Sequence, residues 1–595
     1  MSDNEISWNL SEIYTKSDDP KIKEDMKKLE EMADKFVEDY KGKINSSDIT
    51  PKKILNVIKE QEDFYTKLQE LRLYCSLNFS AKMTDPQNQQ LYNRYQDFQT
   101  KMLQKLTFLE LELSKLIYSK KELLEDPILE NCHHYLEKLS RFAPHKLPEA
   151  QEQIILEKDQ FGVKNWSELQ SVWLNTRKFK VEVEGKEKIL SYGEANGLIT
   201  HPDRKTRESA NKAIYGKLGE DDKIFAMALR SICSDWMKIV KRRNYKNPME
   251  NSLLINDTEQ RIINNLLKTI ENNVDLYQRY LKLKAKIMSL PKLGCHDVQG
   301  PAKPEVEPDY KWKNAKKLVL EAYTGFDETF GEYVQDMFSK NHIDATIRDG
   351  KRNGAFCASW YNNKTAFVLL SYAESMKDVF TLGHELGHAI HGHLYSRNQT
   401  YLNTDTPMIV AETASIFGEL LLTDLMLKKA ETKEEKISIL TSVLDNAGMV
   451  LFQVTSRAWF EQTLYDLIEK GEYIDGETIA KSWESARDKV YGDAVDWFEE
   501  MKWEWAMKPH YFMPNFRFYN YPYVYGQMFV YALYQKYQEE GDSFIPKYKE
   551  LLKAGSSLSP KELGEIVGLD VTTVEFWELG MHQFKKFLED LEALL

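Results

Sequence analysis

Two histidines four residues apart, with a glutamate directly after the first, carry the clearest chemistry in this chain: His384-Glu385-Leu386-Gly387-His388. On a helix, residues four apart share one face about one turn apart, so both imidazoles can converge on a single ion. Neutral imidazole nitrogens suit Zn²⁺ at about 2.0–2.1 Å. Glu385 stands about 100° round the helix from His384, close enough to reach a water on the metal without ligating it. Zinc lowers the pKa of such a water to about 7, and a carboxylate can then take its proton. Phe380, Leu382, Leu386 and Ile390 supply apolar positions that would bury the helix. An unliganded pair of histidines in those surroundings would need other partners.

A catalytic zinc needs a third protein ligand and an open fourth position. The pattern HExxHxxGxxH would put glycine at 391 and histidine at 394. Those positions hold His391 and Leu394, which excludes it. His391 would have to reach past His388 along the same helix, so a packing or outer role fits it better. A glutamate on a second helix is the better candidate. Thr406 and Pro407 read as a cap and first helical position, and the helix would carry Glu412 among apolar and small residues. A carboxylate there must be paired or ligated. Glu419 lies two turns further on the same face, and the residues alone do not exclude it.

The elements that must position these groups read mainly as helix. A charge-rich helix is expected over about 20–45, and Thr50-Pro51 announces the next. Apolar residues at three- and four-residue spacing predict long helices near 207–242, 258–288 and 434–470. Ser559-Pro560-Lys561-Glu562 has the form of a capping box. Strand signals are few. Residues 178–192 alternate around Glu184-Gly185-Lys186 and predict a hairpin. Thr365 to Leu370 reads as a short apolar strand just before the motif helix, a candidate to pair with a substrate backbone by strand addition.

With 595 residues the chain can bury a large core. Its net charge of −13 argues against a general nucleic-acid binder. No apolar run approaches the ~20 residues of a membrane span, and the polar amino terminus lacks the form of a signal peptide. Cys75, Cys132, Cys233, Cys295 and Cys357 are scattered, with no CxxC pair, so neither a disulfide framework nor a thiolate zinc site is suggested. A cytoplasmic protein without membrane or nucleic-acid partners is expected.

The motif His384 to His391, followed by Glu412-Thr413-Ala414-Ser415, resembles the oligoendopeptidase F and thimet oligopeptidase family of zinc peptidases. The resemblance extends to Trp8-Asn9-Leu10-Ser11-Glu12-Ile13-Tyr14, Pro144 to Glu149, Lys351 to Cys357, Trp459 to Gln462 and Gly568-Leu569-Asp570, with the oligoendopeptidase branch fitting better. It implies one zinc ion per chain held by His384, His388 and Glu412, and so favours Glu412 over Glu419. It implies a large, mainly helical zincin-like metallopeptidase with a small β-sheet near the active site and a deep substrate channel. Residues 1–200 would form an oligoendopeptidase F-type helical region ending in the hairpin, and 201–595 the catalytic domain.

The family also carries a histidine and tyrosines near the carboxyl end that bind substrate and stabilise the oxyanion. His510, Tyr519 and Tyr523 match them, while a third tyrosine of the thimet branch falls at Gly526. Tyrosine hydroxyls are neutral donors suited to a developing oxyanion, although aromatic-rich stretches are usually core. The expected activity is endopeptidase cleavage of short unstructured peptides, with Glu385 as general base. A zinc carboxypeptidase or dipeptidyl carboxypeptidase is the alternative, with Arg352 or Arg517 holding a terminal carboxylate. A non-catalytic peptide-binding protein retaining zinc is the other, but it would have no use for Glu385.

Overall fold

The structure, a computed structural model, describes residues 5–302 and 310–595. It is a large helical protein with three small sheets among the described residues. The chain forms two compact units, each assembled from three stretches: 5–143, 310–428 and 536–570 in the first, and 144–302, 429–535 and 571–595 in the second. These units do not follow the sequence division at residue 200.

The first unit begins with α1 (Pro20–Tyr40), α2 (Pro51–Ala81), α3 (Pro86–Ser119) and α4 (His133–Arg141). The start at Pro51 is set as the residues suggest, because the Thr50 side chain accepts from the backbone N–H of Lys53. The first helix is shorter than expected. It stops at Tyr40, and Gly42 then takes a left-handed φ of +77°. Leu29, Phe36, Phe64, Leu71 and Leu113 lie in a core that continues into the sheet through Trp360, Phe367 and Leu369.

Seven strands are present among the described residues. β1 (Phe179–Val183) and β2 (Lys186–Leu190) form the expected hairpin. Its two turn residues, Glu184 and Gly185, have φ of 51° and 78°, which suits a tight two-residue connection. β3 (Leu293–Gly294) pairs with β7 (Val495–Asp496) in the second unit. In the first unit β4 (Ile343–Asp344), β5 (Phe356–Trp360) and β6 (Thr365–Leu369) form one sheet in the order β4-β6-β5.

That order corrects the expectation for 365–370. The strand forms, but β6 has β4 in parallel on one side and β5 antiparallel on the other, and all five of its residues are buried. It is the central strand; the edges are the two-residue β4 and the longer β5. β5 and the loop before it are tied to α2: Ser80 accepts from the backbone of Arg352, four residues before the strand, at 2.9 Å, and Glu70 accepts from the indole of Trp360 at the strand's end at 3.0 Å.

In the second unit the long helical stretches are interrupted. Helix Arg204–Glu220 ends at Asp221 before Asp222–Arg242, Gln260–Asn272 is separated from Val274–Ile287 by Asn273, and a π turn at Met449–Gln453 joins Lys433–Gly448 to Val454–Glu469. Together, Lys433–Glu469 is long and apolar enough to cross a membrane, yet 61% of its most apolar window is buried inside the protein, as in a core helix. The capping box at Ser559 is present in the first unit. All five cysteines are free.

Candidate active site

The motif helix, Met376–Asn398, starts at a capping box in which Ser375 and Asp378 satisfy each other's backbone N–H groups. Leu382, Leu386 and Ile390 are buried and seat it in the first unit. The opposite face holds His384 and His388, whose ring centroids are 4.9 Å apart with planes at 82°. Both keep about a quarter of the side chain exposed, at 27% and 25%, so a substrate can reach them.

The second helix differs in detail from its expected start. Pro407 has ψ of 149° and acts as the cap itself, so the helix begins at Met408, and Thr406 is not its cap. The extended ψ leaves Pro407 outside the helical turn. A one-residue break at Glu412 then separates Met408–Ala411 from Thr413–Lys429. Glu412 is presented at that junction. Its Oε2 lies 3.2 Å from Nε2 of His384 and 3.3 Å from Nε2 of His388, and the Ser415 hydroxyl donates to the same oxygen at 2.6 Å.

These three residues form the one cluster of its kind among the described residues, with donor atoms all within 4.8 Å of one another. Ligands about 2.0–2.1 Å from a tetrahedral zinc lie about 3.3 Å from one another. The observed separations of 3.2 and 3.3 Å fit that edge length, and two imidazoles with one carboxylate are a donor set zinc accepts. Burial disfavours charge on His384, but Glu412 and Glu419 outweigh it and raise its proton affinity. Glu412 is held well below the usual carboxylate range by the two histidines, against its burial.

Glu385 is not one of these donors and is buried, at 6% exposure. Burial raises its pKa, while the neighbouring histidines oppose the shift. A carboxylate moved towards neutral is suited to both taking and returning a proton. His391 is not in the donor set. It is buried against Tyr395, with ring centroids 5.2 Å apart, and burial followed by the His388 charge lowers its pKa to about 3.

The structure adds three supports around the site to which the sequence assigns no such role. Glu419 is not among the three donors; it lies 2.6 Å from Nδ1 of His384. Its signal was available, since a ligating histidine needs an acceptor for its second nitrogen. Tyr323, fully buried, donates to the Gly383 carbonyl at 2.7 Å, and a Cβ at Gly418 would meet that hydroxyl at 1.9 Å. Gly387 lets the two site helices touch: a Cβ there would lie 2.4 Å from the Ala414 carbonyl oxygen.

His510, Tyr519 and Tyr523 cluster in the second unit. His510 is 6.0 Å from Tyr519 and 6.2 Å from Tyr523 between ring centroids, and the two tyrosines are 5.8 Å apart. Tyr523 is exposed, at 38%. Tyr521, between them in sequence, is instead a core residue with its hydroxyl 3.1 Å from that of Ser252. The loop before Tyr519 is pinned by Glu461, whose carboxylate accepts from the Phe518 backbone at 2.8 Å, and Phe518 sits in the left-handed region at φ 52°.

The profile described as peptidase family M3 matches residues 198–583, and that described as oligopeptidase F matches 119–179. The oligopeptidase PepF of Bacillus subtilis is 25% identical over 99% of this chain and 87% of its own length. An oligoendopeptidase F homolog of Lactococcus lactis is 25% identical over 99% of this chain and 97% of its own. Among solved structures, one from Chlamydophila abortus superposes with a TM-score of 0.86 at 23% identity, covering 99% and 98% of the two chains. The oligoendopeptidase-F of Enterococcus faecium does so with a TM-score of 0.70 at 24% identity, covering 97% and 99%. With the family profile spanning most of the chain and the donor cluster inside it, this protein belongs to peptidase family M3 and is a metallopeptidase.

Proposed function

We propose that the chain is a zinc-dependent endopeptidase that hydrolyses internal bonds of short, unstructured peptides. The observation that carries this reading is a donor set of two imidazoles and one carboxylate, the carboxylate at tetrahedral edge length from both rings, with a second, buried carboxylate beside it that is not a donor. His384, His388 and Glu412 would hold the ion. A zinc ion there supplies a Lewis acid that polarises the scissile carbonyl and acidifies water. Glu385 takes the proton of the attacking water and returns it to the leaving amine nitrogen. His510, Tyr523 and Tyr519 donate hydrogen bonds to the oxyanion.

The edge strand β5 offers unpaired backbone to an extended peptide, which favours chain length and extended shape over particular side chains. Relatives named oligoendopeptidase F support internal cleavage rather than trimming. The two family profiles, ending at 179 and starting at 198, support a helical amino-terminal region over 1–200 and a catalytic region over 201–595.

The test is Glu385→Gln. It should keep one zinc per chain by metal analysis while cleavage falls about 10³-fold or more. Activity within tenfold of wild type would remove Glu385 from its role.

A further inference from the structure

A cavity of about 1030 Å³ opens along β5 within the first unit, and most of its wall comes from the amino-terminal helices. Gln61, Tyr65, Gln69, Arg72, Ser76 and Ser80 line it from α2. Their spacing of three and four places them on a single face of that helix. Phe356 to Ser359 of β5 form part of the opposite wall. None of the three metal donors lines the cavity. It meets the site through Cys357, whose thiol is raised by burial and by the charge of Glu385, and through Tyr395 beside His391.

This polar helix face surrounds a cation without a counter-ion. Arg72 is exposed and forms no ion pair among the described residues. Its charge acts on Tyr95 and Tyr401, opposing the rise that burial imposes on both phenols. Tyr95 is 2% exposed, and its hydroxyl has no partner among the described residues. The cavity's charged lining is Arg72, Lys138 and Arg352 against Glu110 and Asp405. It is therefore net cationic in a chain of net charge −13. Glu110 acts on Tyr65 and Tyr135, and Asp405 on Tyr395 and Tyr401.

We propose that this cavity is an extended peptide subsite in which Arg72, with the hydroxyls of Tyr95 and Tyr401, binds a carboxylate of the substrate. A guanidinium presents a planar fork matched to a carboxylate, and a phenol adds a neutral donor. The carboxylate is either an acidic side chain at a fixed distance from the cleaved bond or the peptide's own terminus. The proposal rests on the peptidase reading for the identity of its ligand, although its test does not require turnover.

The experiment uses the full chain carrying Glu385→Gln, loaded with zinc, and fluorescence anisotropy of labelled peptides. One series exchanges Gln for Glu at each position in turn; the other compares free with amidated carboxyl termini. One substitution should tighten binding by roughly tenfold. An effect in the first series identifies a side-chain carboxylate, and an effect in the second identifies the terminus. Adding Arg72→Gln should bring the acid-to-amide ratio to within about twofold of unity, and Tyr95→Phe should lower it part of the way. Equal binding of acid and amide peptides, no binding, or a ratio that Arg72→Gln leaves unchanged overturns the subsite. If acid preference in binding persists while the wild-type chain cleaves no peptide, the subsite stands and the endopeptidase reading falls.

Discussion

Nδ1 of His384 donates to the Glu419 carboxylate at 2.6 Å, while Nε2 of the same ring lies 3.2 Å from Glu412. The ring is thus fixed at one nitrogen and presented at the other. Such a carboxylate sets the tautomer of a ligating histidine and strengthens it as a donor. Glu419→Gln should raise the zinc dissociation constant about 10- to 100-fold, measured by competition with a chromophoric chelator. An unchanged constant would mean that packing alone orients the ring.

Gly387 stands where the motif helix meets the helix that follows Glu412. A methyl group there would press on backbone, 2.4 Å from the Ala414 carbonyl oxygen and 2.6 Å from the Cα of Ser415, so no side chain can move aside to admit it. Gly387→Ala should lower stability by about 1–3 kcal/mol in denaturant unfolding. Because the shift falls between the donors, zinc affinity should drop as well. Wild-type values for both would show that the helices separate freely.

The parts legible in the sequence are those whose geometry is local. His384 and His388 lie one turn apart on any helix, and the hairpin of β1 and β2 follows from a turn written in two residues. Glu419 was visible as a candidate, but choosing its role required knowing which helix faces which ring nitrogen. The edge strand was misread because β6 acquires its second neighbour from Ile343–Asp344, a two-residue strand more than twenty positions earlier with no pattern of its own. The hydroxyl of Tyr323 against Gly383 and Gly418 joins three helices, and no periodicity reports such a contact. The long segment near 207–242 kept its apolar spacing across the break at Asp221, so periodicity alone could not divide it.

Glu461 is buried at 4% exposure, and its pKa is pushed up to about 7 by that burial, against hydrogen bonds from Phe518 and Asn520 and the charge of Arg517. In the unfolded chain a glutamate titrates near 4.3. The folded state therefore binds the proton more tightly, so this contribution to stability is full below about pH 4 and is lost as pH rises through about 7. The loss is on the order of 3–4 kcal/mol. Glu461→Gln should flatten the decline between pH 5 and 8 in denaturant midpoints. A wild-type chain whose stability does not fall over that range would contradict the assignment.

The proposed mechanism predicts that the tyrosines separate by role. Tyr523→Phe and His510→Ala should each lower kcat about 10²- to 10³-fold with little change in unfolding. Tyr521→Phe should instead lower stability by about 1 kcal/mol and leave kcat close to wild type, because its hydroxyl is spent on Ser252 and Asn256. Steady-state kinetics beside thermal unfolding of the three variants checks the division. A loss of kcat at Tyr521 equal to that at Tyr523 would undo it.

Metal-dependent cleavage of internal peptide bonds is read out by digesting an internally quenched peptide, blocked at both ends, and identifying the products by mass spectrometry. Cleavage within the peptide is expected, abolished by a chelator and restored by zinc. Trimming of the unblocked peptide alone, or cleavage that survives complete removal of the metal, would contradict it.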